Sequence, residues 1–157
     1  MKKVMLILYI FSVNNLNAQS IGSELEAINK VLDSYHNAAS QSDWTTYFDL
    51  MSEDAVFLGT DASERWTKES FRQYAASRNG WTYLPKERNV DLTPLGSSAW
   101  FDEILQSESY GTSRGTGVLI KTKEGWKIAQ YHLTFPIPNE LAKDITEAIK
   151  SFESNET

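Results

Sequence analysis

The sequence predicts an α+β domain in which helices lie over an antiparallel sheet. Apolar residues recur at helical spacing up to Asn79-Gly80, and alternation takes over from Trp81. Turn signals at Pro94-Leu95-Gly96, Tyr110-Gly111 and Lys123-Glu124-Gly125 then divide the second half into strands. A chain of 157 residues, 41% hydrophobic and 12% aromatic, is one domain's length with ample material for a core.

Residues 1–19 stand apart. Lys2 and Lys3 precede the apolar run VMLILYIFSV, and a short polar stretch follows that reaches the small residue Ala18. That layout predicts a secretory signal peptide cleaved after Ala18 or Gln19, leaving residues 20–157 as a single exported domain, periplasmic or secreted. The run from Val4 to Val13 is too short to span a bilayer, so no membrane anchor is expected after cleavage. Cleavage removes two lysines and no acid, taking the formal charge from −6 to −8. Such an acidic chain is a poor match for nucleic acid or anionic lipid. With no cysteine in the chain, no disulfide framework can staple it.

Ser23 and Glu26 form the S-x-x-E capping signature, ahead of Leu25, Ile28, Leu32, Tyr35 and Ala39 at helical spacing, which predicts a first helix from Ser23 to Ala39. Asp43 caps a short second helix with Trp44, Tyr47, Phe48 and Met51 on one face, and Ala55 to Gly59 is a brief strand. Thr67 caps a third helix, with Trp66 and Phe71 placed as a hydrophobic staple. In the Lys123-Glu124-Gly125 hairpin, a three-residue loop with Gly125 in the left-handed conformation pairs Thr122 with Trp126. Counting outward puts Ile120, Val118, Thr116 and Arg114 on one face with Ile128, Gln130, His132 and Thr134. That face, apolar at the hairpin and polar at the far end, is taken as the inner one and its polar end as a pocket. The reverse face, with Ala129, Tyr131, Leu133 and Phe135, is also apolar, so a homodimer through this outer sheet face is expected. After Pro136-Ile137-Pro138, Asn139 caps a final helix striped by Leu141, Ile145, Ile149 and Phe152.

This order of elements resembles the nuclear transport factor 2-like (NTF2-like) superfamily and, more narrowly, its SnoaL-like group. The likeness is carried by Val56-Phe57-Leu58-Gly59-Thr60-Asp61, Glu64-Arg65-Trp66, Ala99-Trp100-Phe101-Asp102-Glu103, Arg114-Gly115-Thr116-Gly117-Val118-Leu119 and Gly125-Trp126-Lys127-Ile128-Ala129-Gln130-Tyr131-His132. The resemblance implies a cone of helices closed on a curved antiparallel sheet, with a C-terminal helix and an internal cavity. It also implies cofactor-independent isomerase, dehydratase or cyclase chemistry in some members and plain ligand binding or dimerisation in others. Catalytic members place an Asp, or a His with an Asp, in the cavity as general base, and Asp61, Glu103 and His132 are the corresponding candidates here.

The residues themselves leave two alternatives open at each candidate. His132 titrates near neutrality and can move a proton, or it is a hydrogen-bonded structural histidine. Glu103, between Phe101 and Leu105, is a desolvated carboxylate that orients His132, or it forms a buried pair with Arg114. Asp61 is a base at the cavity mouth, or it closes an Asx-turn. Arg114, Gln130 and Thr116 would bind the polar end of a substrate, with Arg114 and Gln130 stabilising developing negative charge. Trp66, Trp100, Tyr47 and Phe57, with Trp81, would line the apolar part or serve simply as core. The expected partner is a small apolar or cyclic molecule, with no cofactor. With two histidines, no cysteine and no H-E-x-x-H spacing, no metal is expected.

Overall fold

The computed structural model describes the backbone of residues 2–155 and the side chains of residues 20–155. The signal segment and its cleavage site lie outside the described side chains. Helix α1 (Lys2–Ser40) is followed by α2 (Trp44–Asp49), β1 (Met51–Leu58), β2 (Arg65–Thr67), α3 (Lys68–Ala75), β3 (Leu84–Leu92), β4 (Ser98–Ser107), β5 (Gly111–Thr122), β6 (Gly125–Thr134) and α4 (Ala142–Asn155). The six strands form one sheet in the order β2-β1-β6-β5-β4-β3. It is antiparallel throughout except where β1 runs parallel to β6. The α+β architecture, with N-terminal helices over a sheet and a C-terminal helix, is the one the sequence predicts.

The amphipathic stripe of α1 closes the core: Ile28, Leu32, Tyr35, Ala38 and Ala39 are buried against Phe101, Leu119, Ile128 and Tyr131 of the sheet. Ser23 does not start this helix. The helix runs through it, and the Ser23 hydroxyl donates to the Ser20 carbonyl as an interior side chain does. Among the described side chains of α1, Glu24 is the first long-range anchor, its carboxylate accepting from Lys121 Nζ at 2.6 Å and the Trp126 indole at 2.8 Å. The other caps form as expected, Asp43 accepting from the Thr46 N–H and Thr67 from the Ser70 N–H. Trp66 and Phe71 meet with ring centroids 5.3 Å apart, as the staple requires.

The β5–β6 hairpin differs from the sequence expectation in a way that decides which face is which. Gly125 takes the positive φ, but pairing begins one residue earlier, Thr122 with Gly125 and Lys121 with Trp126. The Thr122 hydroxyl stabilises this turn, accepting from the Glu124 N–H and donating to the Gly125 carbonyl. Leu119 therefore faces Ile128. A register shift then leaves Ala129 as an extra residue in β6 and restores the pairs Val118–Gln130, Thr116–His132 and Arg114–Thr134.

Those pairs lie on the outer face. The inner column of β5 is Ser113, Gly115, Gly117 and Leu119, and that of β6 is Trp126, Ile128, Tyr131 and Leu133. The glycines make this column look empty in sequence, yet they admit large neighbours: a Cβ on Gly117 would lie 2.8 Å from the Phe101 ring. The final helix also differs. Asn139 sits in a turn before α4 rather than at its cap, and α4 buries none of its residues.

Candidate functional site

Two features stand out on the inner side of the sheet. The deeper one is built on Glu103, whose side chain is fully buried on β4. His36 Nε2 lies 2.6 Å and the Tyr131 hydroxyl 2.9 Å from its Oε1, while Arg88 Nε lies 2.8 Å from Oε2. An ionised carboxylate only accepts, so all three neighbours donate. Arg88 also pairs with Asp33 at 2.7 Å and donates to the Asn29 side chain at 3.2 Å.

Local sequence explains each placement. His36 follows Tyr35 on the buried stripe of α1, and Arg88 is the direct cross-strand partner of Glu103. Tyr131 reaches Glu103 because residue 115 has no side chain: a Cβ there would lie 2.2 Å from the Tyr131 oxygen and 3.0 Å from Glu103 Oε1. Burial pushes the Glu103 carboxyl up, but the hydrogen bonds from His36 and Arg88 and the charge of the guanidinium together outweigh it and hold the group below its ordinary range. Burial and the Glu103 charge raise the Tyr131 phenol, which stays a neutral donor. The arrangement clamps α1 to β3, β4 and β6.

The second feature is a cavity of about 590 Å³ at the end of the sheet remote from the Lys123-Glu124 hairpin. Its lining comes from the ends of β1, β6 and α1, from α3 and the segment after it, and from the β4–β5 turn. Phe57, Trp66, Phe71, Tyr74, Trp81 and Tyr83 supply the aromatic surface. These rings support one another: Phe57 stacks on Phe71 at 3.9 Å, and Trp66 meets Tyr74 at 4.3 Å. The charged groups in the lining are Glu64, Arg78 and Glu108. Glu64 is half-buried, accepts from the Asp61 N–H at 3.3 Å, and has no ion-pair partner among the described residues.

The sequence candidates fall into four places. Phe57 and Trp66 line the cavity. Glu103 and Tyr47 lie in the core, Glu103 bound to His36 and Arg88 rather than to Arg114 or His132, and Tyr47 donating to the Tyr35 hydroxyl. His132, Arg114, Thr116, Gln130 and Trp100 lie on the outer face, where Trp100 is 49% exposed. The inner pocket expected at their end of the hairpin is therefore corrected, because the extra residue at Ala129 reverses the phase of β6 beyond Ile128. Asp61 is exposed in the Asx-turn, accepting from the Ser63 N–H at 2.8 Å and hydroxyl at 2.6 Å, bonds that lower its carboxyl.

Sequence reasoning missed His36, Arg88 and Glu64 as site residues. A histidine inside the apolar stripe of α1 was the available signal for His36. Nothing local pointed to Arg88. Among the described residues no three His, Asp or Glu side chains converge to hold a metal ion.

An inner cavity between helices and a curved six-stranded sheet, ringed by aromatics, defines the class as a cone-shaped α+β domain. The chain belongs to the SnoaL-like domain family, whose model matches residues 28–138. It is similar in fold to an NTF2-like protein with a cystatin-like fold from Novosphingobium aromaticivorans, at 15% identity over 83% of this chain and 94% of that one, with a TM-score of 0.64. A candidate dehydratase of the NTF2-like family from Streptomyces avermitilis gives 14% identity, 74% and 99% coverage and a TM-score of 0.63. A candidate scytalone dehydratase from N. aromaticivorans gives 12% identity, 76% and 89% coverage and 0.64. No curated protein matches the chain.

Removing the Glu103 carboxylate strands three donors, so Glu103→Ala is expected to lower stability by about 3–5 kcal/mol in urea unfolding. Gly115→Ala, which drives a methyl into the Tyr131–Glu103 contact, costs about 1–3 kcal/mol. The folded carboxyl titrates below its ordinary 4.5. Its contribution is therefore fully present above that value and is lost as pH falls through the folded pKa. Wild type should lose stability on acidification below about pH 4.5 more steeply than Glu103→Gln, and parallel pH curves for the two would contradict the network.

Proposed function

We propose that the protein is an exported small-molecule-binding domain whose cavity takes an apolar or cyclic molecule carrying a polar handle. The observation that carries this is the aromatic cavity itself. Its volume of about 590 Å³ lies within the range of small-ligand pockets, and a half-buried carboxylate, Glu64, sits in its lining without a counter-ion. Glu103 does not line the cavity, which supports a structural role for it as the clamp under the floor. A thermal-shift screen of the purified chain against small cyclic acids, ketones and amines is expected to yield compounds that raise Tm. Trp66→Ala should weaken those hits; a screen with none, or hits indifferent to Trp66, leaves the cavity without support as a binding site.

Glu64 also supports a second reading, cofactor-independent isomerase or lyase chemistry, in keeping with the dehydratase names of two fold relatives. A carboxylate beside a bound ring can take a proton from one carbon and return it to another or to a leaving hydroxyl. In D₂O, a bound ligand should then exchange a C–H for C–D on the NMR timescale of hours. Glu64→Gln should slow that exchange by roughly 10²–10⁴-fold, and exchange untouched by the substitution would rule out Glu64 as the base.

Export follows from the leader-like layout of residues 1–19. Intact-mass measurement of the protein from the cell envelope or medium should give a chain starting at Gln19 or Ser20; an intact Met1 terminus would refute it.

The outer sheet face and α4 favour a homodimer. Trp100 on the sheet is 49% exposed, and Leu141, Ile149 and Phe152 are 50%, 46% and 63% exposed, so a second copy would cover apolar surface contributed by both. Light scattering should report twice the chain mass, reverting to a single chain in Trp100→Glu; a monomeric wild type at micromolar concentration would overturn the pairing.

A further inference from the structure

The cavity lining shows a mismatch that specifies the ligand further. Its walls are π faces, and the charged group drawn in among them is an acid. Glu64 lies over Gly59, where a Cβ would be 2.0 Å from its Oε2, so the carboxylate fills the space that a side chain at 59 would take. Glu64 immediately precedes β2 and is the chain neighbour of Arg65, yet no arginine or lysine pairs with it among the described residues. Glu108 adds a second carboxylate at the exposed rim.

Among the described residues the one cation in the lining is Arg78, which is exposed and holds its guanidinium 4.3 Å from the Tyr74 ring centroid. This wall therefore already seats a positive charge on an aromatic face. A neutral ligand filling the cavity would strip water from Glu64 and return at most a hydrogen bond from a neutral donor, whereas a cationic ligand also compensates the charge. The chain's formal charge of −6 works in the same direction, drawing cations toward it.

We propose that the polar handle of the ligand is a cation, an alkylated ammonium or protonated amine held against the Trp66, Tyr74 and Trp81 faces with Glu64 as its counter-ion. This rests on the small-molecule reading of the cavity given above. Ring faces attract such cations through their quadrupole, and the attraction grows as the site is desolvated. A compact apolar anion or neutral alcohol of the same shape gains only the burial.

The test uses three probes of nearly one shape: choline, 3,3-dimethylbutan-1-ol and 3,3-dimethylbutyrate. Each is titrated into the full chain at fixed ionic strength, with tryptophan fluorescence and calorimetry as readouts. Choline is expected to bind at least about tenfold more tightly than the alcohol, with the carboxylate weakest. Glu64→Gln should remove most of that preference, weakening choline while the alcohol binds at least as tightly as it does to the wild type because no charge is left to desolvate, a result that also shows the variant is folded. If the alcohol equals choline, or the carboxylate binds best, the cation assignment is overturned while the cavity stands as a binding site. If none of the three saturates the wild type, and the larger benzyltrimethylammonium also fails, the assignment and the cavity reading fall together.

Discussion

A single buried carboxylate organises this fold. Glu103 sits at zero exposure as the one charged residue among the buried polar residues described, Ser107 and Ser113 being the others, and an unpaired charge there would cost several kcal/mol. It is tolerated because four elements converge on it: His36 from α1, Arg88 from β3, Tyr131 from β6 and β4 itself. The requirement runs in both directions. The carboxylate needs its three donors, and those donors hold the helix at a defined height and angle over the sheet. Gly115 is part of the same constraint, since only a residue without a side chain leaves the Tyr131 hydroxyl room to reach the carboxylate.

The clamp and the cavity divide the inner face between them. Around Glu103 the donors His36, Tyr131 and Arg88 Nε are committed to the carboxylate and Arg88 Nη1 closes the chain at the surface on Asp33, while Arg88 Nη2 is buried without a partner among the described residues. At the open end, the groups are aromatic rings leaning on one another and a carboxylate with one long hydrogen bond. Tyr131 connects the two, donating to Glu103 while its ring stacks with Phe57, which lines the cavity. A rigid floor of this kind suits a binding site, because the walls it supports lose little freedom when a ligand arrives. Family membership and fold kinship supply the scaffold, while the character of the site comes from these particular side chains.

The outer face of the sheet is unusual in the opposite sense. Arg114, Thr116, Gln130 and His132 share it with Trp100, a mixture too polar for a core and too apolar for a surface that meets only water. The amphipathic α4 has no buried residue to account for its stripe. Both surfaces belong to sequence patterns that are plain along the chain, and neither is satisfied within one copy of it.

Much of this molecule was legible in one dimension. Periodicity located α1 and its buried residues, side-chain oxygens at Asp43 and Thr67 announced two helix starts, alternation marked the strands, and Phe101-Asp102-Glu103-Ile104-Leu105 correctly placed Glu103 among inward residues. These are local signals, set by the 3.6-residue and two-residue repeats of the backbone. The faces of β5 and β6 were not legible, because a strand's side-chain phase survives only as long as no residue is inserted. The hairpin pairs one residue earlier than its glycine suggests, and the extra residue at Ala129 shifts the phase again, so His132 and Arg114 turn outward and Tyr131 and Leu133 turn in. The partners of Glu103 were beyond reach for a different reason. His36 and Arg88 lie 67 and 15 residues away, and it takes the packing of α1 across the sheet and the pairing of β3 with β4 to bring them to one carboxylate. Local chemistry determined which elements form; their three-dimensional docking decided which polar groups meet, which remain unpaired, and hence where the site lies.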